Sequence, residues 1–245
     1  MTLSRPRPSV AGASAQAKYR ELWAEGRRQR LVIRAALTLA ALLVVGVLWS
    51  WPVAVVVAAL VAVVDTVYRW RTHEAVKTWR KGAVGERRTA RALRPLQRRG
   101  YTVLHDRSLP RSRANVDHIV IGEAGVFVVD TKNWNGNRRI TRRGRYVKVG
   151  RMSGDKAVDA VIWESGLVAK VLSEELGYLV EVVPVLAIQG PHVPLLRVVK
   201  VEGVPLLHPS QVRTWIVRSG RRLTPEQVAR VSEAAERLLP AYVVA

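Results

Sequence analysis

Asn115-Val116-Asp117-His118-Ile119-Val120-Ile121, then Gly122-Glu123-Ala124-Gly125, then Val126-Phe127-Val128-Val129-Asp130-Thr131-Lys132 is the stretch whose reading decides the fold. Two apolar, β-branched runs flank a short glycine-bounded segment, which predicts an antiparallel hairpin with a four-residue loop at 122–125. An acid interrupts the first run, and the second ends in acid-x-lysine. Pairing Ile121 with Val126 carries Asp117 to a position directly opposite Asp130. Their side chains then share one face with Cβ atoms about 5 Å apart, and Lys132, two residues on, joins them. Two carboxylates held this close repel unless a cation lies between them. A hard divalent ion, Mg²⁺ or Mn²⁺, is the expected cation, because it binds through few carboxylates plus water and phosphate. Such an ion would acidify a bound water and neutralise charge building on phosphorus, while Lys132 would stabilise that charge or orient the water. His118 points to the other face under the same alternation and is expected to be structural.

Outward from this hairpin, the pattern predicts a domain of about 160 residues with its own core. Gly82 to Arg99 reads as a helix with Val84, Ala90, Leu93 and Leu96 as its apolar stripe, stopped by Gly100. Tyr101 to Leu104 is a short strand, and Leu109-Pro110 breaks the chain. A second hairpin is expected from Arg138–Thr141 and Arg145–Val149. A helix over 155–176, strands at 180–188, 198–201 and 204–207, and helices at 209–218 and 224–238 complete the series. Thr224-Pro225-Glu226 is a helix start signal. The fold class is α/β or α+β, a mixed sheet flanked by helices.

The N-terminal part is of another kind. Arg34 is the last charge before Asp65, so the thirty residues between them are uncharged. One helix over Leu31–Val64 would run roughly 50 Å, beyond the ~30 Å hydrocarbon core. Trp49-Ser50-Trp51-Pro52 divides it. Proline ends or opens a helix and tryptophan favours the headgroup level, so two transmembrane helices at about 31–49 and 52–69 are expected. Arg27, Arg28 and Arg30 precede the first, and Arg69, Arg71, Lys77, Arg80 and Lys81 follow the second. This distribution predicts a hairpin in the inner membrane with both termini and the C-terminal domain cytoplasmic. Arg34 and Asp65 either pair across the hairpin or snorkel separately. A buried core hairpin is the alternative for the whole segment. Residues 1–17 read as a disordered tail and 18–30 as a basic surface helix, together a basic N-terminal tail over 1–30; residues 70–81 read as a basic linker.

Forty Lys/Arg against nineteen Asp/Glu leave a net charge of +21, so an anionic partner is expected, nucleic acid or the anionic headgroups of the lipid bilayer. The excess is +9 over residues 1–81 and +12 over 82–245, so a membrane collar alone does not account for it. Arg138, Arg139, Arg142, Arg143, Arg145, Lys148 and Arg151 form an acid-free run on the second hairpin, suited to tracking phosphates without reading sequence. Trp134 and Tyr146 beside it are read as core or interface aromatics before base-stacking ones. The chain has no cysteine, which excludes disulfides, thiolate metal sites and a cysteine nucleophile.

Gly82-Ala83-Val84-Gly85-Glu86, Gly100-Tyr101, the Asn115–Ile121 run and Gly125–Gly136 (through Asn133-Trp134-Asn135) together resemble the NERD (nuclease-related) domain, over roughly residues 80–190. That resemblance implies a restriction-endonuclease-like core related to the PD-(D/E)xK nuclease superfamily, spanning 82–190, with 191–245 as a strand and helix extension. It implies a magnesium-dependent phosphodiesterase acting on nucleic acid, DNA before RNA. Glu86 matches the family's helix acid, Asp117 the strand acid, and Asp130 with Lys132 the acid-x-lysine. Asp130 stands where many relatives have Glu. Relatives often carry a Gln on the helix after the core, whereas 155–166 holds Asp155, Asp159, Trp163 and Glu164. The alternative is a catalytically silent module that binds nucleic acid or a partner at the membrane.

Overall fold

The structure, a computed structural model, describes residues 11–72, 74–112, 114–134, 136, 140–143, 146–150, 152–193 and 198–242. The chain divides into two compact units, one of residues 15–80 and one of 81–245 joined by the segment up to Ser14.

The first unit is helical. Helix α1 runs from Ala13 to Leu48 without a break and α2 from Trp51 to Thr72. The sequence reading placed a tail through residue 17, a surface helix over 18–30 and a first span from 31. In the structure one helix takes in residues 13–17 of that tail, the expected surface helix and the first span, because Ala, Gln, Lys, Arg, Glu and Leu favour continuation and no proline interrupts between Ala13 and Leu48. The break at Trp49-Ser50 falls where Pro52 takes a first-turn place in α2, where its missing N–H costs nothing. Leu31–Leu48 and Trp51–Tyr68 are long and apolar enough to cross a membrane. Their leucines and valines face outward: Leu43, Val47, Leu60 and Val63 are all exposed. Arg34 Nε lies 3.5 Å from Asp65 Oδ2, so of the two readings for these charges the pairing is the one found.

Helix α3 spans Glu74–Leu93, entering eight residues before the expected start, so most of the expected linker is helical. Pro95 ends its regular hydrogen bonding, and a 3₁₀ turn over Arg94–Arg99 follows, closed by Gly100 at φ 80°. The buried stripe is Ala83, Glu86, Thr89, Leu93 and Leu96, while Val84 and Ala90 are only half-buried. Polar residues thus take places on the inner face that the hydrophobic reading gave to their neighbours.

The strands are β1 (Thr102–Ser108), β2 (Asn115–Gly122), β3 (Gly125–Asn133), β4 (Ile140–Arg143), β5 (Tyr146–Val149), β6 (Met152–Ser153), β7 (Val182–Gln189), β8 (Val199–Val201) and β9 (Val204–Leu207). The helices after the first three are α4 (Asp155–Leu176), α5 (Pro209–Arg218) and α6 (Pro225–Leu238). Six strands form one mixed sheet in the order β1-β2-β3-β7-β9-β8, and β4-β5-β6 form a separate ribbon. β1, β2 and β3 are antiparallel neighbours, whereas β7 runs parallel to both β3 and β9. The fold is therefore the mixed α+β layer arrangement that the pattern predicts.

The β2–β3 loop is two residues, Glu123-Ala124, rather than four, because Gly122 and Gly125 themselves pair. The register is unchanged: Ile121 faces Val126 and His118 faces Val129. A side chain at Gly122 would run into the Tyr101 ring, so glycine there lets β1's start close over the hairpin. Alternation then sorts two cores. Ile119, Ile121, Val126, Val128, Leu186 and Ile188 pack with α4 and α6; Val120, Phe127, Val129, Val185 and Ala187 pack with Leu93, Leu96 and α5. β3 and β7 are buried on both faces, which is why their sequences are unbroken apolar runs. β8, β9 and α6 complete this same sheet and core, and Arg107 bridges to Ala241, so residues 198–242 are integral to the layer. Helix α6 starts on a capping box in which Thr224 and Gln227 bond each other's backbone N–H.

Candidate active site

The polar residues gather where β2 begins and β3 and β7 end. Helix α3 can approach β3 closely only because position 85 is glycine: a Cβ there would lie 2.8 Å from Asn133 Cβ. Two side-chain amides pin the helix in place. Asn133 Nδ2 donates to the Lys81 carbonyl at 2.8 Å, and Gln189 Nε2 donates to the Gly85 carbonyl at 2.7 Å. Glu86, the next residue, is thereby buried, and its Oε2 has no hydrogen-bond partner among the described residues. Burial first, then the charges of Asp106 and Asp130, push the Glu86 carboxyl up to about 7.

The β2–β3 pairing reaches His118–Val129, and Asp117, the residue before His118, meets β3 through its side chain. Asp117 Oδ2 accepts the Thr131 backbone N–H at 2.8 Å, which turns its carboxyl toward β3. Its pKa is raised well above the usual range by burial, with Glu86 and Asp130 adding repulsion. Asp130 is 4% exposed and is held by Lys132, whose Nζ lies 2.9 Å from Oδ1 and 2.7 Å from Oδ2. Only the Oδ1 contact has hydrogen-bond geometry, so Oδ2 keeps a free lone pair. Burial alone would lower the Lys132 ammonium, but Asp130 and then Asp117 outweigh it and raise it. The four residues expected from sequence therefore act on one another electrostatically.

Two further acids complete the group. Glu164 on α4 is raised to about 8 by burial and then by Asp130, against the opposing pull of Lys132; its buried Oε2 has no hydrogen-bond partner among the described residues. It lies on the helix face that carries Val161, Ser165 and Val168, so a carboxylate on an otherwise inward stripe is the signal by which sequence reasoning finds it. Asp106, at φ 50° and 1% exposed, accepts from the Ser14 N–H and Asn115 Nδ2, both at 2.7 Å. Residues 11–14, read from sequence as tail, thus serve the second unit's polar network.

The opposite face is built differently. His105 and His118 share an Nδ1···Nδ1 contact of 2.9 Å, and Thr131 Oγ1 donates to Thr89 Oγ1 at 3.0 Å and lies 3.4 Å from His118 Nε2. Burial lowers the pKa of both imidazoles, favouring the neutral rings that such a pair needs. His118 is accordingly a buried, bonded residue facing away from Asp117.

Among the described residues, no three His, Asp or Glu side chains stand close enough together to hold a metal ion. The donor chemistry suits a magnesium-type ion all the same. The oxygens are hard carboxylate donors, three of them are buried without a hydrogen bond, and such an ion needs only one or two carboxylates beside water and phosphate.

Of the basic ribbon, Arg138, Arg139, Arg145 and Arg151 lie outside the described residues, as do the side chains of Arg142 and Arg143, which end β4. Lys148 is exposed on β5, while Val147 and Val149 on the alternate face enter the α4 core. Trp134 packs against that core, in line with its reading as a core aromatic; Tyr146 is 51% exposed.

Residues 81–189 match the family model of the nuclease-related domain, NERD. A 64-residue stretch is 44% identical to an uncharacterised protein of Bacillus anthracis, covering 25% of this chain and 30% of that relative. The likeness therefore spans under a third of the relative's length. No solved structure matches the chain.

Proposed function

We propose that the 81–245 unit is a metal-dependent nuclease of the PD-(D/E)xK type, held at the inner membrane surface by α1 and α2. The observation that carries this reading is one ammonium group, Lys132, set among carboxylates from β2, β3, α3 and α4, of which Asp117, Glu86 and Glu164 are raised by burial and by their neighbours. The match of this region to a nuclease-related family supports it. Asp117 and Asp130, with Glu86, are the residues to hold Mg²⁺ or Mn²⁺. When bound, that ion supplies an acidified water and neutralises charge on the phosphate. Lys132, anchored on Asp130, directs its remaining N–H groups at the scissile phosphate and stabilises the charge that builds there. Asp117, its orientation set by the Thr131 N–H, keeps one oxygen for the site. Glu164, protonated near neutrality, is placed to give a proton to the departing oxygen. The acid-free run of arginines and lysine over 138–151 is the segment to hold phosphates, favouring DNA or RNA over small phosphoesters.

The close Lys132–Asp130 pair also favours a second reading, in which lysine replaces metal permanently and the unit only binds nucleic acid or anionic lipid. Incubating the purified full-length chain with plasmid DNA, single-stranded DNA and RNA, with Mg²⁺ or with EDTA, separates the two. The nuclease reading expects cleavage that needs Mg²⁺ and is lost in Asp130→Asn. Retention of the nucleic acid without cleavage, in parent and variant alike, assigns the binding module.

A further inference from the structure

A second concavity lies at the other end of the sheet, against the strand starts rather than the strand ends. It has a volume of about 440 Å³ and is lined by Phe127, Val183, Gly203, Trp215 and Ser219, with Lys200, Arg218 and Arg222 around it. Most of these residues lie beyond the region that matches the nuclease-related family. The size falls within the range of small-ligand sites.

Its chemistry is divided between floor and rim. Phe127 is fully buried and meets the Trp215 ring edge-on, with centroids 6.0 Å apart and planes at 80°. Ser219 Oγ donates to the Trp215 carbonyl at 3.0 Å. Phe127 thus packs against the indole, and Trp215 is half-buried overall. Arg222 is set by its own backbone, whose N–H donates to the Glu123 carbonyl at 2.7 Å, and its stem lies over Gly125, where a Cβ would come within 3.5 Å of Arg222 Cδ. Lys200 comes from the edge strand β8 and Arg218 from the end of α5. Among the described residues none that lines the cavity is acidic. Arg222 lies 3.7 Å from Glu181 in an exposed pair, a contact worth little and readily exchanged for a stronger anion.

We propose that this cavity binds a nucleoside phosphate, its base laid on Trp215 and its phosphates between Lys200, Arg218 and Arg222. An apolar ligand would leave three cations uncompensated, and a bare anion would leave the aromatic floor unused. A base joined to phosphate satisfies both, since aromatic rings and guanidinium planes stack on bases and Arg and Lys grip phosphate oxygens. A free nucleotide and the 5′-phosphorylated end of a strand present the same chemistry.

Equilibrium dialysis of the full-length chain in detergent with ADP, in EDTA, tests this. Saturable ADP binding is expected, with adenosine and inorganic phosphate each competing at least about tenfold more weakly than unlabelled ADP. The double change Lys200→Glu/Arg218→Glu is expected to weaken ADP roughly tenfold or more, and Trp215→Leu to weaken ADP while leaving phosphate competition as it was. Asp130→Asn should bind ADP like the parent, which keeps this site independent of the nuclease reading. Competition by a short 5′-phosphorylated oligonucleotide matching ADP assigns a strand end; much weaker competition assigns the free nucleotide. Absence of saturable binding, equal binding by the double variant, equal competition by phosphate alone, or loss of binding in Asp130→Asn each overturns the proposal.

Discussion

The two faces of the sheet near the end of β3 carry polar groups in equal density but in opposite condition. On one face, His105, His118, Thr131 and Thr89 hydrogen-bond one another, and Gln189 Nε2 joins Thr89 at 3.3 Å. On the other, Asp117, Asp130 and Glu164 share one ammonium, and Glu86 reaches the same group from α3. The residues alternate along the same two strands, so the backbone is common to both. The difference lies in whether neighbours complement or repel. Among the described residues the first group leaves Gln189 Oε1 alone buried without a hydrogen bond, whereas the second leaves Glu86 Oε2, Asp130 Oδ2 and Glu164 Oε2 so.

This contrast can be broken by substitution. The largest effect is expected from Asp117→Asn, which keeps the acceptor for the Thr131 N–H but removes one charge. Mg²⁺-dependent cleavage, followed on plasmid gels, should fall by about 100-fold or more with the fold intact. A fall of less than a few-fold would place Asp117 outside the chemistry. Next comes Lys132→Met, which strands Asp130 without its counter-ion. Urea unfolding should show a loss of roughly 3 kcal/mol at neutral pH, and the double Asp130→Asn/Lys132→Met should recover most of it. If the double change is as unstable as the single one, packing of the lysine stem and not the charge is responsible.

Glu86→Gln should act in the opposite direction. Its carboxyl is raised from 4.5 in the unfolded chain to about 7 in the folded one, so the folded state holds the proton more tightly. Glu86 therefore favours folding most below pH 4.5, and that contribution is lost as pH rises through 7. The Gln form should be more stable than the parent at pH 8, by on the order of 1–3 kcal/mol, with the gain shrinking towards pH 4.5. A constant difference across that range would contradict the assignment. The smallest effect belongs to the bonded face. Thr131→Val removes the hydroxyl that links Thr89 to His118 and should cost about 1–2 kcal/mol, with cleavage by the folded fraction unchanged. A selective loss of cleavage there would mean that the two faces are coupled.

Much of the site was legible because strand alternation and a short turn are local properties. The Ile121–Val126 pairing followed from two apolar runs and two glycines, and it held even though the loop is shorter than its glycine-bounded segment suggests. Helix α4 and strand β9 have the bounds that their patterns predict. Helix α3 was less legible. Its inward stripe is partly polar, so a hydrophobic period finds Leu93 and Leu96 but puts Val84 and Ala90 in place of Ala83 and Thr89, and Glu86 is found there only through the family resemblance.

By itself the sequence determined the hairpin register, the two apolar helices, the charge excess and the candidate roles of Asp117, Asp130 and Lys132, since each depends on residues near in the chain or on simple composition. Tertiary structure alone decided that Glu164 and Asp106 join them, that Ser14 bonds Asp106, and that Gly85 admits α3 closely enough to bury Glu86. The physical reason is range. Hydrophobic alternation acts between adjacent residues, whereas repulsion among buried carboxylates depends on helices and strands from distant parts of the chain enclosing the same small volume.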